Sequence, residues 1–381
     1  MFALTILTLV FAGASHAADL QPRFYENYKF EHFVQEYERS YATPGEYAHR
    51  ETIFNANLEF IRKQNQAYVE GRSKWVAAVT NFGDKTQNDM KPYLGLHKPS
   101  LWRKSAGSVG KQAIRASEWS QNRNGSLPES VDWRKKNVVT PPKSQGGCGD
   151  CWAFSAAEAI ESHVALNTGK LLNLAPQEIT SCVSNPQKCG GIGGCEGAIV
   201  ELAFDYAKAK GLALETAYPY KGKDGSCHQA QPAAYVDGFE ELPKNDGDAL
   251  ASAVATKGPI AISAAAKMWG FYFGGIFDGH QGFEKGCPPD IDHAVQLVGY
   301  GKTSNNTDYW LVRNSWGPKF GEEGYIRVLR SPGNEPCAVD PTPKDGICGD
   351  GPMCECPSPV TYCGMCGILA ASSYPTGARL A

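Results

Sequence analysis

The sequence predicts an α+β protein with two lobes, because segments with helical character precede a region of strands. Helix-forming segments end near residue 210 of the 381-residue chain, and beyond Gly211 apolar residues alternate with a period of two. Runs of helices followed by runs of strands are typical of α+β folds. A cleft between two lobes is a natural place for a long substrate.

The composition is that of an ordinary soluble globular protein. Hydrophobic residues make up 42% and charged residues 20% of the chain. A net charge of −3 gives no support for binding to nucleic acid or to an anionic membrane. We therefore expect neither as a partner.

The amino terminus predicts a signal peptide over residues 1–17. An apolar run over residues 2–12 is followed by Ser15-His16-Ala17, a pattern of small residues typical of signal cleavage. No later run of about 18 apolar residues suggests a membrane span. We expect the secretory pathway, with a lysosome-like or vacuolar compartment or the exterior as destination.

The cysteines suggest disulfides and one free thiol. All 13 lie from Cys148 onward, and a secretory chain with this density forms disulfides. Six bridges would leave one cysteine unpaired. That cysteine is a candidate for reactivity.

Residues 145–155 favour Cys151 as the reactive thiol. A glycine-rich loop runs into a predicted helix over residues 151–167, which Gly169 can close. The unpaired N–H groups of a first helical turn stabilise a thiolate. The alternative from these residues alone is that Cys148 and Cys151 form a disulfide or a metal pair.

The segments 24–41 and 44–69 are charged, helix-prone and free of cysteine. In the second, six residues recur at spacings of three and four, as they also would on an ordinary surface helix. As a set they match the pattern E-x3-R-x3-F-x2-N-x3-I-x3-N. In this respect the segment resembles the inhibitory propeptides of cathepsin L-like proteases of the papain family. The six residues are Glu46, Arg50, Phe54, Asn57, Ile61 and Asn65.

Two further segments extend this resemblance. Residues 78–84 resemble the family's second propeptide motif at Phe82 and Asp84, although Ala78 and Thr80 replace its glycine and asparagine. Residues 91–126 read as an exposed linker, and Leu127 begins a segment similar to the start of the mature enzymes.

The resemblance thus implies three parts. They are a signal peptide over 1–17, a helical inhibitory propeptide with its linker over 18–126, and a mature papain-like domain over 127–381 that is cut free near Ser126. The mature domain would have a helical left lobe and a β-rich right lobe. A Cys-rich insertion is expected over residues 336–366, longer than the corresponding loop of papain.

Residues 148–152 resemble the segment around the nucleophile of papain and cathepsin L, with Asp150 in place of serine or alanine. A carboxylate beside a thiolate raises the thiol pKa unless it points to solvent. We expect Asp150 to leave the protein active with a shifted pH profile.

Four histidines of the mature part could act as the base. His163 lies about 18 Å from Cys151 along the same helix. His228 lies in a polar loop, and His280 lies in a glycine-rich loop. His293 precedes a buried strand, and Ile291–Val295 resembles the family's catalytic-histidine segment. The candidates set aside are His163, His228 and His280.

The resemblance also supplies the supporting groups. Asn314 would orient the imidazole, Trp316 would shield that contact from water, and Gln145 with the Cys151 backbone N–H would bind the oxyanion. The implied mechanism is a thiolate–imidazolium pair and an acyl-enzyme, with no metal and no cofactor.

Disulfide pairs follow from the same resemblance. It implies Cys148 with Cys195, Cys182 with Cys227, and Cys287 with Cys366. Six cysteines remain, with 15 possible connectivities. The cysteines of residues 336–366 could instead bind zinc, although the secretory route favours disulfides. The six remaining cysteines are Cys189, Cys337, Cys348, Cys354, Cys356 and Cys363.

Five small or apolar residues occupy positions that resemble the family's pocket for the P2 residue, which is the substrate residue two positions before the scissile bond. They predict a bulky hydrophobic P2 residue, and Ala198 replaces a glycine that pairs with substrate. No paired-histidine occluding segment is found, which favours endopeptidase action. The pocket residues are Ile199, Val200, Ser263, Ile291 and Ala371.

Partners and modifications complete the expectations. The resemblance implies protein and peptide substrates, the chain's own propeptide as inhibitor, cystatin-type inhibitors and a monomer. Asn124 and Asn305 are candidate N-glycosylation sites. Two competing functions stay open, namely a non-catalytic relative that binds peptides, and a Cys-rich interaction or metal module carried by the protease.

Overall fold

The computed structural model describes residues 20–95, 127–279, 287–350, 352 and 354–381, so the predicted signal peptide and most of the linker lie outside it. Its α-helices are α1 (Phe30–Glu36), α2 (Pro44–Val69), α3 (Cys151–Thr168), α4 (Pro176–Cys182), α5 (Val200–Lys210) and α6 (Gly247–Thr256). Its strands are β1 (Trp75–Ala77), β2 (Val131–Asp132), β3 (Leu212–Ala213), β4 (Pro232–Tyr235), β5 (Gly238–Glu241), β6 (Ile260–Ala264), β7 (Tyr272–Phe277), β8 (His293–Lys302), β9 (Asp308–Arg313), β10 (Tyr325–Leu329), β11 (Cys337–Asp340), β12 (Val360–Cys363), β13 (Ser372–Thr376) and β14 (Arg379–Leu380).

One large sheet supports the β-rich lobe. Its strands run in the order β1-β7-β10-β9-β8-β6-β13-β5, with β2 paired to β8. The β7–β10 pair is parallel and the other pairs are antiparallel. Most of the helices precede most of the strands of this sheet, and the architecture is the α+β one that the sequence predicts.

Helix α3 is the centre of the helical lobe and packs on strand β8. Its residues from Cys151 to Ala165 are all buried, and Gly169 ends it in the left-handed region with φ 74°. Small residues such as Ala156 and Ala159 allow close approach to neighbouring elements. Ser155 Oγ donates to Val295 O at 2.8 Å, which fixes the helix against the strand.

A buried ion pair also ties α3 to the sheet. Arg313, the last residue of β9, lies 3.0 Å from Glu158 of α3, and both side chains are almost fully buried. Gln296 Nε2 of β8 donates to Glu158 O at 2.8 Å. The segment directly after Arg313 is therefore held in a fixed position relative to helix α3.

The first predicted helix is shorter than expected. The sequence predicted helical character over 24–41, but α1 spans Phe30–Glu36. Tyr25 and Glu38 have φ values of 53° and 50°, in the left-handed region that a right-handed helix cannot include. The prediction for residues 44–69 was correct, because α2 has these bounds with Pro44 at its first turn.

The six motif residues of α2 hold the propeptide together. Phe54 and Ile61 are buried in its core. Asn57 Nδ2 donates to the carbonyls of Gly83 and Lys85 at 2.9 Å each. Arg50 pairs with Asp89 at 2.7 Å. These contacts tie the chain after β1 back to the helix.

The propeptide extends the sheet of the mature part. Strand β1 pairs with the edge strand β7, with Trp75 opposite Gly275. Trp75 Nε1 donates to Gly279 O at 2.8 Å, and Thr80 Oγ1 donates to Gly270 O at 2.7 Å. Backbone pairing of this kind gives affinity without depending on side chains.

The Cys-rich segment is a hairpin stapled by disulfides. Strands β11 and β12 pair antiparallel with Cys337 opposite Cys363. Its cysteines and Cys189 are joined as Cys189–Cys354, Cys337–Cys363 and Cys348–Cys356. Because these sulfurs are bonded to each other, they cannot serve as zinc thiolates. Within the ranges described above, no helix is long and apolar enough to cross a membrane.

Replacing Asn65 with alanine is expected to loosen the propeptide. Asn65 is fully buried, donates to Arg23 O and Ala77 O at 2.7 and 3.0 Å, and accepts from Ala77 N at 2.8 Å. Each backbone group left unpaired costs about 1–3 kcal/mol. The predicted propeptide should therefore be cut away faster at acid pH, as followed by gel and intact mass.

The exposed Asn55 on the same helix provides the control. Asn55→Ala removes the same side chain from the outer face and should leave the processing rate unchanged. Equal processing rates for Asn65→Ala and the wild type would contradict the role assigned to Asn65.

Candidate active site

Cys151 begins helix α3 at the junction of the two lobes. It is fully buried, and it is the free cysteine among those the structure describes. Its Sγ accepts a hydrogen bond from the backbone N–H of Ala294 in β8 at 3.2 Å. The helix and the strand thus meet at the sulfur, next to His293.

The imidazole of His293 has one nitrogen engaged and one free. Nε2 lies 2.8 Å from Asn314 Oδ1, which also accepts from Ser315 N at 2.8 Å. Because Oδ1 is an acceptor, Nε2 must carry the proton and Nδ1 is the basic nitrogen. Nδ1 is buried and has no hydrogen-bond partner among the residues that the structure describes. It is therefore available to take a proton.

Aromatic side chains enclose this ring. The rings of Trp316 and His293 are stacked with centroids 5.1 Å apart, and Trp269 approaches edge-on at 6.3 Å. The structure therefore brings together the histidine, asparagine and tryptophan that the sequence singled out. Trp316 Nε1 is engaged by the propeptide, donating to Tyr93 O at 2.8 Å.

Gln145 lies in the same cluster. Its Nε2 donates to Cys148 O at 2.8 Å and approaches Leu94 O of the propeptide at 3.5 Å. Its Oε1 accepts from Ser315 Oγ at 2.5 Å. A buried amide held in this way is a preorganised donor for an oxygen that develops charge.

The propeptide closes the site at Gly95. The Gly95 N–H donates to Asp292 O at 2.9 Å. A Cβ on Gly95 would lie 2.2 Å from Gly149 O and 2.9 Å from Cys151 Sγ, so only glycine fits. A Cβ on Gly197 would lie 1.6 Å from Gly95 O. The neighbouring Ala198 is fully buried.

This closure favours the neutral forms of both reacting groups. Burial raises the pKa of the Cys151 thiol far above its usual range, the charges of Asp150 and Asp292 act in the same direction, and the Ala294 amide opposes them. Burial lowers the pKa of His293 to about 4, and the hydrogen bond that its Nε2 donates to Asn314 opposes this shift. The thiolate–imidazolium pair expected from the sequence is thus not the favoured state under the propeptide.

Asp150 is buried rather than solvent-exposed, and it is the N-cap of α3 rather than a member of its first turn. Thr180 Oγ1 donates to its Oδ2 at 2.8 Å, and the Tyr220 hydroxyl lies 2.9 and 3.0 Å from its two oxygens. The same hydroxyl lies 2.7 Å from Gln145 O. Burial raises the pKa of Asp150 to about 7, against the hydrogen bonds from Thr180 and Tyr220.

Three of the five predicted P2 pocket residues are buried. Ile291 is 1% exposed, Val200 6% and Ser263 7%, whereas Ile199 and Ala371 are partly exposed. Ser263 N donates to Ala371 O at 3.0 Å, which brings two of them together. The Cys-rich segment lies against Ile291, as described below.

The other histidines occupy different places. His163 is buried in α3 with Nε2 3.0 Å from Pro259 O, and His228 stacks on Tyr218 at 3.9 Å. His280 lies outside the described residues. Of the glycosylation candidates, Asn305 is exposed between β8 and β9, and Asn124 is outside the described residues.

Three disulfides surround the site, and they are the pairs that the resemblance implies. They are Cys148–Cys195, Cys182–Cys227 and Cys287–Cys366. Sequence reasoning missed Ser315, Tyr220 and Thr180. Ser315 could have been suspected because it lies between Asn314 and Trp316, whereas no local signal marks the other two.

The site contains a buried cysteine next to a histidine whose ring is held by an asparagine. The amino-terminal segment of the same chain covers this site, and such an arrangement is that of the precursor of a thiol hydrolase. Residues 127–344 match the papain family cysteine proteases, and residues 30–90 match the cathepsin propeptide inhibitor domain I29. The chain therefore belongs to the papain family of cysteine proteases and is made as a proenzyme.

Curated relatives come from plants and animals. A senescence-specific cysteine protease of Arabidopsis thaliana is 37% identical over 82% of this chain and 84% of its own length. Cathepsin S of Mus musculus is 36% identical over 82% of this chain and 88% of its own length. Cathepsin L of Sarcophaga peregrina is 32% identical over 94% of this chain and 94% of its own length.

Solved structures agree with the fold. Digestive procathepsin L2 from the larval midgut of Tenebrio molitor has a TM-score of 0.70 at 32% identity and covers 91% of this chain and 98% of its own. A cysteine protease of Carica candamarcensis in complex with E-64 has a TM-score of 0.51 at 37% identity, and the match covers 66% of this chain and 99% of that protease. The predicted family and the papain-like fold with a helical propeptide are thus confirmed.

Replacing Asp150 with serine is expected to change the pH dependence of thiol reactivity in the intact precursor. The Asp150 pKa is raised to about 7, so the carboxyl is neutral below that pH and ionised above it. The ionised form raises the pKa of Cys151. The rate of alkylation should therefore be held back above pH 7 in the wild type and should rise roughly tenfold there in Asp150→Ser, which is about one pKa unit.

Asp205→Ser, which removes an exposed carboxylate from α5, is the matched control and should keep the wild-type profile. The comparison uses the alkylation rate of Cys151 between pH 5 and 9. Identical profiles for Asp150→Ser and the wild type would show that Asp150 does not act on the thiol.

Proposed function

We propose that the matured enzyme hydrolyses peptide bonds with Cys151 as nucleophile and His293 as the acid and base. One observation carries this proposal. The Ala294 N–H touches Cys151 Sγ at 3.2 Å while the preceding residue, His293, is held by Asn314 at 2.8 Å with its Nδ1 unpaired. A nucleophile, a base and an orienting group are thereby within one cluster.

The reaction follows from these positions. Nδ1 takes the Cys151 proton, and the sulfur attacks the peptide carbonyl. Gln145 Nε2 and the Cys151 N–H stabilise the oxyanion, since the Gln145 amide already approaches the Leu94 carbonyl at 3.5 Å. His293 then protonates the leaving amine, and water hydrolyses the acyl-enzyme. Asn314 keeps Nε2 as the donor throughout.

Removal of the propeptide activates the pair. When Gly95 leaves, water reaches the site and the desolvation that raises the Cys151 pKa falls. The positive end of α3 and a charged imidazole then favour the thiolate. We place the processing point near Ser126, immediately before the match to the protease family begins at residue 127.

The substrate class is protein chains cut internally, with a bulky hydrophobic P2 residue. Support comes from the small or apolar residues of the predicted P2 pocket, of which Ile199 and Ala371 are partly exposed. We further propose a monomer, inhibited by cystatin-type proteins and modified at Asn305 and Asn124. Its destination would be a lysosome-like or vacuolar compartment or the exterior.

The nucleophile is tested by labelling acid-matured enzyme with E-64, the ligand of the Carica candamarcensis relative. We expect one label, located at Cys151 by peptide mass spectrometry, and none in Cys151→Ala. His293→Ala should lower kcat by about a thousandfold or more.

His228→Ala removes an exposed histidine and is the control, with wild-type kcat expected. An active enzyme that carries the label on another residue would refute the assignment of Cys151. Absence of both label and hydrolysis would instead favour a peptide-binding role without catalysis.

P2 preference is tested with paired peptide substrates that differ at that residue alone. Leucine or phenylalanine at P2 should exceed glycine in kcat/KM by about tenfold or more, because burial of such a side chain is worth about 1.5–3 kcal/mol. Ala371→Glu should weaken this preference, whereas Ser304→Glu, an exposed position between β8 and β9, should not. Equal rates for leucine and glycine in the wild type would contradict the proposal.

A further inference from the structure

The Cys-rich segment of residues 336–366, called the strap below, joins both walls of the cleft. We propose that it narrows the cleft on the amino-terminal side of the scissile bond, so that internal bonds are still cut but peptides with more than two residues before the bond are cut more slowly than shorter ones. This inference rests on the proposed function. Longer chains are cut where they can turn out of the cleft before the strap.

The strap contacts the β-rich wall at Ile291. A Cβ on Gly346 would lie 2.5 Å from Ile291 O, and a Cβ on Gly367, the residue directly after the strap, would lie 2.5 Å from Ile291 Cδ1. Ile291 is two residues before His293 and belongs to the proposed P2 pocket. The strap therefore starts its crossing directly beside that pocket.

The strap contacts the helical lobe at Cys189. A Cβ on Gly349 would lie 2.9 Å from Cys189 Cα, and Asp350 N donates to Gln187 O at 3.0 Å. The disulfide Cys189–Cys354 then makes this contact covalent. Its cysteines are 165 residues apart in sequence, so it links distant parts of the chain.

The distance between these two contacts is short. Three residue steps separate Gly346 from Gly349, which span at most about 11 Å when fully extended. Within this stretch Ile347 is 7% exposed and Cys348 is fully buried. The stretch is thus packed between the walls, and it leaves little room for a substrate chain to continue between them.

The path of the propeptide identifies which end of the cleft is narrowed. Tyr93 O accepts from Trp316 on one side of Cys151, and Gly95 then lies on Gly197 and Asp292. Asp292 follows Ile291, the residue against the strap. Trp316 and the strap are therefore on opposite sides of Cys151, and the strap is on the side of the P2 pocket.

The helical wall is continuous between the strap and the site. Cys189 precedes Gly190 and Gly191, and a Cβ on Gly191 would lie 2.4 Å from Gly197 O. Gly197 in turn lies against Gly95 O. A substrate residue beyond P2 would therefore meet the segment that the strap bridges, because both walls converge there.

The test compares a short peptide, blocked at P2, with the same peptide extended by two residues on its amino-terminal side. In the wild type kcat/KM should be at least fivefold lower for the extended peptide. In Cys189→Ser/Cys354→Ser the two values should become equal, since the covalent link between the walls is gone. The short peptide should be cut at a similar rate by both enzymes.

A second variant removes the crossing itself. Replacing residues 341–359 by a short turn, together with Cys189→Ser, keeps strands β11 and β12 and their Cys337–Cys363 bridge and should also equalise the two peptides. Cys337→Ser/Cys363→Ser is the control, because this bridge joins the two strands of the hairpin and not the two lobes. It should keep the fivefold difference.

Equal rates for both peptides in the wild type would overturn the proposal, as would a difference that persists in both opened variants. In either case the short peptide is still hydrolysed, so the proposed function stands. Loss of hydrolysis of every peptide by the E-64-sensitive wild type would instead refute the proposed function, and the strap proposal with it.

Discussion

The contact between helix α3 and strand β8 is the constraint on which the active site depends. The first residue of the helix and the first residues of the strand meet where the Ala294 amide donates to Cys151 Sγ. Ser155 and Gln296 add hydrogen bonds farther along the same interface. Because Cys151 and His293 belong to different lobes, the separation of their side chains is set by this packing and by no local sequence.

The propeptide inhibits by taking up space that only glycine can share. Gly95, Gly149 and Gly197 come so close that a side chain on any of them would collide with backbone. This tight fit also excludes water, and burial then keeps both the thiol of Cys151 and the ring of His293 neutral. Steric blockage and loss of the ion pair are thus two consequences of one contact.

Much of the site could be predicted from the sequence because its residues fall in motifs with a local physical meaning. Cys151 follows a glycine-rich loop at a helix start, His293 precedes a buried strand, and Asn314 ends another. Helix α2 could be placed because Pro44 begins it and its six motif residues recur at spacings of three and four. Such features depend on neighbours in sequence, which the chain itself displays.

Other features could not be predicted, because they depend on residues far apart in the chain. The burial of Asp150 depends on Thr180 and Tyr220, and nothing near Asp150 indicates them. The link between Cys189 and Cys354 was one of many possible pairings, and its place across the cleft follows from the packing of both lobes.

We expect Cys151 to be an unreactive neutral thiol under the propeptide and a thiolate once the propeptide leaves. This is measured by the alkylation rate of Cys151 against pH, in intact precursor and in matured enzyme, with intact mass reporting both label and processing. The precursor should react measurably only at alkaline pH, whereas the matured enzyme should react at acid pH as well. The same pH profile for both forms would contradict this expectation.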